Sequence, residues 1–356
     1  MDTIPQIGAI GAGYWGPNLI RNLVEIPGCD LRAIADLSPK RLDAMRARYP
    51  QVETTTDYRS LFDMGLDAVV ICTPPNTHHR IAKECLEHGL HVLVEKPMTT
   101  NSADARDLIE VGERSGRVLM VGHTFVYNPA VQALKQMMVA GTLGDIRYID
   151  AVRVGLGLYH PTVNVVWDLA PHDVSILVYL LDATPVLVSA DGAACVQPTV
   201  EDVAYLTLMF PDGILTHVRV SWLDPSKTRR ITVVGSEKMV TYDDVEPNEK
   251  IKIYDKGVEA LKPSDSFGEF QFNYRYGDIT APFIEFQEPL RVEAEHFIEC
   301  VREGTRPMTD GQAGLTVVSV VEALQESLRG RGKPVTINGT APGSVYGHEL
   351  ERSLLS

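Results

Sequence analysis

Gln6 to Ile10 is a short apolar run that passes directly into Gly11-Ala12-Gly13-Tyr14-Trp15-Gly16, after which Leu19, Ile20, Leu23 and Val24 recur at helical spacing. The pattern reads as strand, glycine turn, helix, and no other stretch narrows the possible folds as much. The first glycine permits the tight turn, the second lets backbone approach a pyrophosphate, and the third lets helix pack on strand, with the phosphates against the helix N-terminus. A second apolar strand, Leu31 to Ala35, ends in Asp36, 20 residues beyond Gly16, where a carboxylate would accept the hydroxyls of an adenosine ribose. The pairing points to a dinucleotide. The Asp36 charge repels a 2'-phosphate and favours NAD over NADP, with Lys40 and Arg41 just downstream as the counter-indication. The competing reading, a plain turn carboxylate, is weakened by Ser38-Pro39, the better cap and first-turn pair for the next helix. Tyr14 and Trp15 in the glycine loop join Gly11, Gly13, Gly16 and Asp36 as candidate cofactor contacts.

The alternation of strand and helix continues with a helix from Pro39 to Tyr49, a short one from Asp57, a strand from Asp67 to Cys72, a helix from about His78 to His88, and a strand from His91 to Glu95. A helix from Ser102 to Ser115 stops at Gly116, and Val118 to Val121 supplies one more strand. This predicts an α/β domain with a doubly wound parallel sheet over residues 1–122. Between Cys72 and its helix, Thr73-Pro74-Pro75-Asn76-Thr77-His78 reads as a stiff loop at a strand end. Thr73, Pro74, Asn76 and His78 are therefore candidates for walling a nicotinamide, against the plainer reading of a turn before a helix. His78 and His79 have no ligand partners in sequence and read as helix-start or surface histidines rather than metal sites. The run His91 to Val94 delivers Glu95-Lys96-Pro97 at the carboxyl end of its strand, where ligands of open parallel sheets collect. Glu95 and Lys96 are candidate cofactor contacts there, and Lys96 is also a candidate for chemistry; the bland reading is a surface lysine capping a strand.

After a helix from Pro129 to about Val139 the chain turns to Val-, Ile-, Tyr- and Thr-rich strands: Ile146 to Val154, Val186 to Ala190, Val203 to Phe210, Ile214 to Trp222, Arg230 to Val234 and Met239 to Tyr242, with Pro211-Asp212-Gly213 as a hairpin turn. These predict an α+β domain with a large, mainly antiparallel sheet over residues 123–340, one face of which is expected to pair with another subunit, and a tail over 341–356. Within it, Trp167-Asp168-Leu169-Ala170-Pro171-His172-Asp173 reads as a helix start with Pro171 in the first turn. Asp168 and His172 are four apart, so a carboxylate can fix an imidazole tautomer and raise its basicity, and a histidine so placed can take a proton near neutral pH. Their plain alternative is an N-cap aspartate and a satisfied histidine. Tyr127, Asn128, Arg153, Tyr159 and His160, in loops or strand ends beside these motifs, are candidate substrate contacts or else ordinary surface and sheet residues. Asp265 to Gly277, with Phe270, Phe272, Tyr274 and Tyr276 at period two, reads as an edge strand, an arm or a lid. Two packing helices follow, and Glu293 with His296 reads as a solvated flank of the first.

A net charge of -14 across 356 residues argues against a general affinity for nucleic acid or anionic membrane and favours a small-molecule partner. The five cysteines are scattered, with no Cys-x-x-Cys pair, which counts against zinc; no metal is expected. The N-terminus lacks the features of a secretory signal, and no window offers the ~18 apolar residues of a membrane helix. A cytoplasmic protein is predicted.

Taken in order, Gly11-x-Gly13-x-x-Gly16, Glu95-Lys96-Pro97 and Asp168-x-x-x-His172 make the chain resemble the Gfo/Idh/MocA oxidoreductases over nearly its whole length. The resemblance implies a catalytic group of Lys96, Asp168 and His172, in which these residues also meet the substrate. It further implies an N-terminal Rossmann domain that binds NAD, homodimers or homotetramers built through the C-terminal sheet, and hydride transfer on a sugar or polyol carbinol. The spelling Trp-Asp-Leu-x-Pro-His-Asp, with Ser221-Trp222-Leu223-Asp224-Pro225 and Tyr276-Gly277-Asp278-Ile279, resembles the branch that acts on C3 of nucleotide-linked sugars such as UDP-N-acetylglucosamine. Dehydrogenation of inositol or a free sugar, reduction of a 3-keto nucleotide sugar, and a non-catalytic NAD-binding sensor or repressor are the alternatives.

Overall fold

The structure, a computed structural model, describes residues 4–157, 159, 163–260 and 272–337. The chain forms two compact units, Met1–Asn128 with Gln287–Glu322, and Pro129–Phe286 with Ala323–Ser356.

The first unit opens with β1 (Gln6–Ile10), α1 (Gly16–Glu25), β2 (Asp30–Ala35), α2 (Pro39–Arg48), β3 (Glu53–Thr55) and a 3-10 turn over Tyr58–Asp63. It continues with β4 (Ala68–Ile71), α3 (Pro75–Glu87), β5 (His91–Glu95), α4 (Ser102–Ser115), β6 (Leu119–Gly122) and a second 3-10 turn, Thr124–Tyr127. Six parallel strands lie in the order β3-β2-β1-β4-β5-β6. The strand order reverses between β1 and β4, which marks the carboxyl ends of β1, β4 and β5 as the ligand-binding edge. The reason for a parallel sheet is written in β4 and β5: Ala68 to Ile71 and Val92 to Val94 have no polar face, so both sides need helices over them. Helix α4 shows how local chemistry sets the punctuation. The Asn101 side chain accepts from the Asp104 N–H at its start, and Gly116 ends it with a left-handed φ of 63°.

The second unit contains α5 (Pro129–Val139), β7 (Ile146–Val154), α6 (Val165–Leu181), β8 (Leu187–Ala193), β9 (Val203–Met209), β10 (Leu215–Ser221), β11 (Thr228–Gly235), β12 (Met239–Asp243), β13 (Ile251–Ala260) and β14 (Phe272–Thr280). After α7 (Pro289–Glu303) and α8 (Gly311–Arg329), β15 (Val335–Thr336) closes the described chain. Nine strands run in the order β14-β13-β12-β11-β7-β10-β9-β8-β15, and only β7 with β10 is parallel. Alternation decides its faces: Ile149, Ala151, Leu206, Val218, Val220 and Ile231 are buried, with α6 packed over β7, β9 and β10, while Tyr148, Tyr205 and Leu215 on intervening positions are exposed. The expectation of a partner subunit concerns that second face.

The sequence reading needs amendment in two places. The contiguous division at residue 122 gives way to one in which the chain leaves the first unit after Asn128 and returns for 287–322. The cause is the apolar stripe of α7, Leu290, Ala294, Phe297 and Ile298, which is covered by α1 and the Thr124–Tyr127 turn. Strand β13 was not foreseen from the sequence, and it gives β14 a neighbour, so the described part of 265–277 is an edge strand. Phe270 and the 341–356 tail lie outside the described residues. Among the described residues no helix is long and apolar enough to cross a membrane, and no group of three or more His, Cys, Asp or Glu could hold a metal.

Candidate active site

The glycine loop has the space and the constraint that a dinucleotide requires. Gly11 sits at φ 102°, and a Cβ there would lie 2.6 Å from the Cys72 carbonyl oxygen; a Cβ on Gly16 would lie 2.1 Å from the Gly11 carbonyl oxygen. These two glycines close the turn against neighbouring backbone. Gly13 differs, since a Cβ there would meet nothing nearer than Arg41 Nη1 at 3.9 Å, which leaves its outer side open for a phosphate. Gly13→Ala is therefore expected to leave the melting temperature nearly unchanged, within about 0.5 kcal/mol of stability. It should weaken NAD at least ~10-fold, about 1.4 kcal/mol, in a fluorescence titration.

Asp36 at the end of β2 is tied into the loop. Its Oδ2 accepts from the Ala12 N–H at 2.7 Å, its Oδ1 from the Ser38 N–H at 2.8 Å, and Arg41 Nη1 lies 3.5 Å from Oδ2. Ser38 occupies the N-cap position of α2 but makes no side-chain cap bond, so the carboxylate supplies the ordering there. Tyr14 and Trp15 flank the loop in exposed positions. All of these residues fit a dinucleotide.

At the end of β4, helix α3 starts at Pro75, three residues before the expected start, because Pro75 has no N–H to lose at a first helical turn. Pro74 and Asn76 flank that start, and the Thr73 hydroxyl accepts from Thr77 at 2.7 Å. His78 is neither at the surface nor open to a ligand. It is fully buried, with Nδ1 2.9 Å from the Pro97 carbonyl oxygen and Nε2 2.8 Å from the Thr73 carbonyl oxygen. Burial lowers its pKa despite both carbonyls, and in the neutral ring only one nitrogen carries a proton, so one of the two contacts is a hydrogen bond. His78 thus braces the Thr73 loop against the segment after β5. There Lys96 is partly buried, followed by a cis bond to Pro97. Glu95 Oε2 accepts the Lys96 N–H at 3.2 Å.

In the second unit, α6 begins earlier than expected. Asn164 is the N-cap, its Oδ1 accepting from the Trp167 N–H at 3.2 Å, and its Nδ2 donates to Glu201 and Gln325 at 2.8 Å each. Pro171 consequently lies inside the helix and leaves the Trp167 carbonyl without its usual donor. Asp168 and His172 stand one turn apart. Asp168 Oδ2 accepts the indole N–H of Trp222 at 3.0 Å, and the Tyr159 ring packs on Trp222 at 5.3 Å between centroids. The Tyr159 hydroxyl is buried without a hydrogen-bond partner among the described residues, while His160 lies outside them.

Three substrate candidates turn out to be buried. Tyr127 is fully buried in the first unit, its hydroxyl 2.9 Å from Thr309 Oγ1, and Asn128 beside it is 3% exposed. Arg153 is 4% exposed and grips Asp173 with two bonds, Nε to Oδ2 at 2.7 Å and Nη2 to Oδ1 at 3.1 Å. Burial works against the guanidinium charge, but the Asp173 carboxylate outweighs it and its pKa is raised. Trp222 and Asp173 carry neighbours of the candidate catalytic pair that sequence reasoning had not assigned; Asp173 was visible as the residue after His172, but its partner was not.

The order of motifs and the two sheets now stand beside known proteins. Residues 6–123 match the family model described as oxidoreductase family, NAD-binding Rossmann fold, and residues 131–241 match the Gfo/Idh/MocA C-terminal domain. The chain is 28% identical over 328 residues to UDP-N-acetylglucosamine 3-dehydrogenase of Acidithiobacillus ferrooxidans, covering 90% of this chain and 95% of that one. It is 27% identical to scyllo-inositol 2-dehydrogenase (NAD(+)) of Bacillus subtilis, covering 95% and 98%. A solved structure of the A. ferrooxidans enzyme superposes with a TM-score of 0.77 at 25% identity, covering 92% of this chain and 98% of that one. The protein is an oxidoreductase with an NAD-binding Rossmann domain and a second, mainly antiparallel sheet. It belongs to the Gfo/Idh/MocA family.

Proposed function

We propose that the enzyme oxidises the C3 carbinol of a nucleotide-linked sugar of the UDP-N-acetylglucosamine kind, with NAD as acceptor. The reading is carried by the likeness to UDP-N-acetylglucosamine 3-dehydrogenase in sequence and in structure over nine-tenths of the chain. NAD, when bound, supplies a nicotinamide ring able to accept or return a hydride. Gly11, Gly13, Gly16, Tyr14, Trp15 and Asp36 would hold its adenosine and phosphates, with Thr73, Pro74, Asn76, Glu95 and Lys96 toward the other end.

His172 takes the proton of the substrate hydroxyl, and Lys96 donates to the oxygen as negative charge develops on it. Asp168, itself anchored by the Trp222 indole, orients the imidazole from one turn earlier on α6. Tyr159, with a buried hydroxyl that lacks a partner among the described residues, is the substrate donor we favour over Arg153 and Tyr127. In the reverse direction, reduction of a 3-keto sugar, the same histidine returns the proton. A sensor would have no use for a base and a cationic donor on the reacting oxygen, so their presence supports an enzyme.

A second reading, inositol oxidation, is favoured by the 27% identity to the scyllo-inositol enzyme over a similar span. Incubation with NAD and a panel of UDP-sugars, dTDP-sugars and inositols, followed by absorbance of the reduced nicotinamide, separates them. Reduction by UDP-sugars is the expected result. Reduction by inositols alone would overturn the nucleotide-sugar assignment, and silence across the panel with the cofactor tightly bound would favour the sensor or a reductase already holding NADH.

A further inference from the structure

Strand pairing stops short of the cofactor edge. The β4–β5 ladder ends at Ile71 opposite Val94, so beyond it the Thr73 loop and the Lys96-Pro97 segment lack the ladder bonds that hold their strands together. His78 takes over there. It is 0% exposed, and its ring lies between the two segments, with Nδ1 2.9 Å from the Pro97 carbonyl oxygen and Nε2 2.8 Å from that of Thr73. Burial favours the neutral ring, which bonds to one carbonyl through its single proton and packs against the other. Whichever nitrogen carries the proton, the flat ring has a fixed width, and that width sets how far apart the two backbones stand.

Each segment is tight within itself. The Thr77 N–H donates to the Pro74 carbonyl at 2.9 Å and the Thr73 and Thr77 hydroxyls are bonded, so the loop cannot open without unwinding the first turn of α3. Gly11 fastens that loop to the glycine turn, since a Cβ there would lie 3.1 Å from the Thr73 nitrogen. On the other side Met98 and Thr99 are fully buried, and the Thr99 hydroxyl donates to the Asn101 carbonyl at 2.6 Å ahead of α4. His78 is thus a joint between two rigid pieces. The strand order says which part of a dinucleotide feels that joint. Asp36 ends β2 and the glycine loop follows β1, so in the order β2-β1-β4-β5 a dinucleotide laid across the switch point brings its far half to the ends of β4 and β5.

We propose that His78 is a positioning residue for the nicotinamide half of the cofactor. Enclosed as it is, it touches neither cofactor nor substrate; it acts by holding the Thr73 loop and the Lys96 segment at a fixed spacing. Without it the contacts to adenosine and phosphate stay in place, while the two walls at the far end drift and Lys96 loses its aim. A misplacement of about 1 Å in such a site can cost ~100-fold in rate. The inference rests on NAD binding and on Lys96 standing at the nicotinamide end. The sugar plays no part in it, so this reading and the sugar assignment can fail separately.

Calorimetric titration with NAD and with ADP-ribose, which lacks the nicotinamide, tests the two halves of the site apart. His78→Phe fills the volume of the imidazole but offers the carbonyls no nitrogen. It is expected to weaken NAD at least ~10-fold and ADP-ribose by less than about twofold. Gly13→Ala, on the phosphate side, is the contrast and should weaken both ligands. Equal weakening of the two by His78→Phe would make the histidine a part of the general fold, and unchanged affinity for both would make the joint irrelevant to the cofactor; either result overturns the proposal. Should His78→Phe fail to fold, His78→Gln is titrated in the same way. Its one amide nitrogen cannot occupy both edges of a ring, so NAD should still be weakened about threefold more than ADP-ribose, and equal effects on the two ligands would overturn the proposal.

Discussion

His172→Ala should lower turnover by ~100-fold or more while leaving NAD affinity within about twofold, because general-base help of this kind contributes at least that factor. The separation of the two readouts follows from the architecture. The glycine loop and Asp36 belong to the first unit, whereas His172 lies on α6 of the second, so truncating the imidazole removes no residue of the cofactor loop. Steady-state rates with the sugar found in the substrate panel, beside a fluorescence titration with NAD, measure both. Added imidazole should restore part of the lost rate, since a base of the missing shape can enter the space left by the side chain. Full turnover in the variant would remove His172 from the role of base. Loss of NAD binding together with turnover would instead show that the substitution had disturbed the fold. Lys96→Met is expected to lower turnover without any rescue by imidazole, because the base is then intact and the developing alkoxide lacks its cationic donor.

How far these residues were legible in the sequence depends on how local their requirements are. Gly11, Gly16 and Asp36 could be found because a tight turn and a strand end impose backbone demands within a few residues, and the structure gives each glycine a neighbouring carbonyl too close for a Cβ. The extent of the parallel sheet followed from β4 and β5, where uninterrupted apolar runs leave no solvent face. Boundaries governed by competing signals were harder. Pro171 drew the expected helix start toward itself, but Asn164 offered a side-chain cap and the apolar Val165-Val166 needed burial, so the helix begins earlier and carries the proline inside. Strand β13 hides its period because Lys252, Asp255 and Lys256 interrupt a run whose apolar positions, Ile251 and Ile253, are few.

Glu293 was misplaced for a different reason. It sits three residues after Leu290 and four before Phe297, on the buried stripe itself, and that spacing was the available signal. A charged side chain ordinarily means solvent, and that expectation outweighed the spacing. What no spacing could supply was the return of α7 to the first unit, which packs it on the Thr124–Tyr127 turn and gives the buried Glu293 carboxylate the Thr124 hydroxyl as a donor.

The same limit applies to Arg153, and it leads to the largest expected effect on stability. Arg153 on β7 and Asp173 on α6 are 20 residues apart in sequence and meet only once the helix has been laid on the sheet. Side-chain exposures of 5% and 2% leave neither charge any solvent to fall back on. Arg153→Met would fill most of the volume but strand the Asp173 carboxylate in the interior, a change that typically costs about 3–5 kcal/mol. The denaturation midpoint of the second unit in urea should fall accordingly. Replacing both partners, Arg153→Met with Asp173→Leu, should recover most of that loss, because two apolar side chains of similar volume need no counter-charge. Arg153→Lys should be intermediate, since an ammonium cannot make the two parallel bonds that the guanidinium makes. Asp173 directly follows His172 on α6, so the single variant should also reduce turnover. In the double variant, recovered stability with normal turnover would mean that the pair only packs the helix. Recovered stability with turnover still depressed would mean that the ion pair also sets the angle at which α6 presents His172.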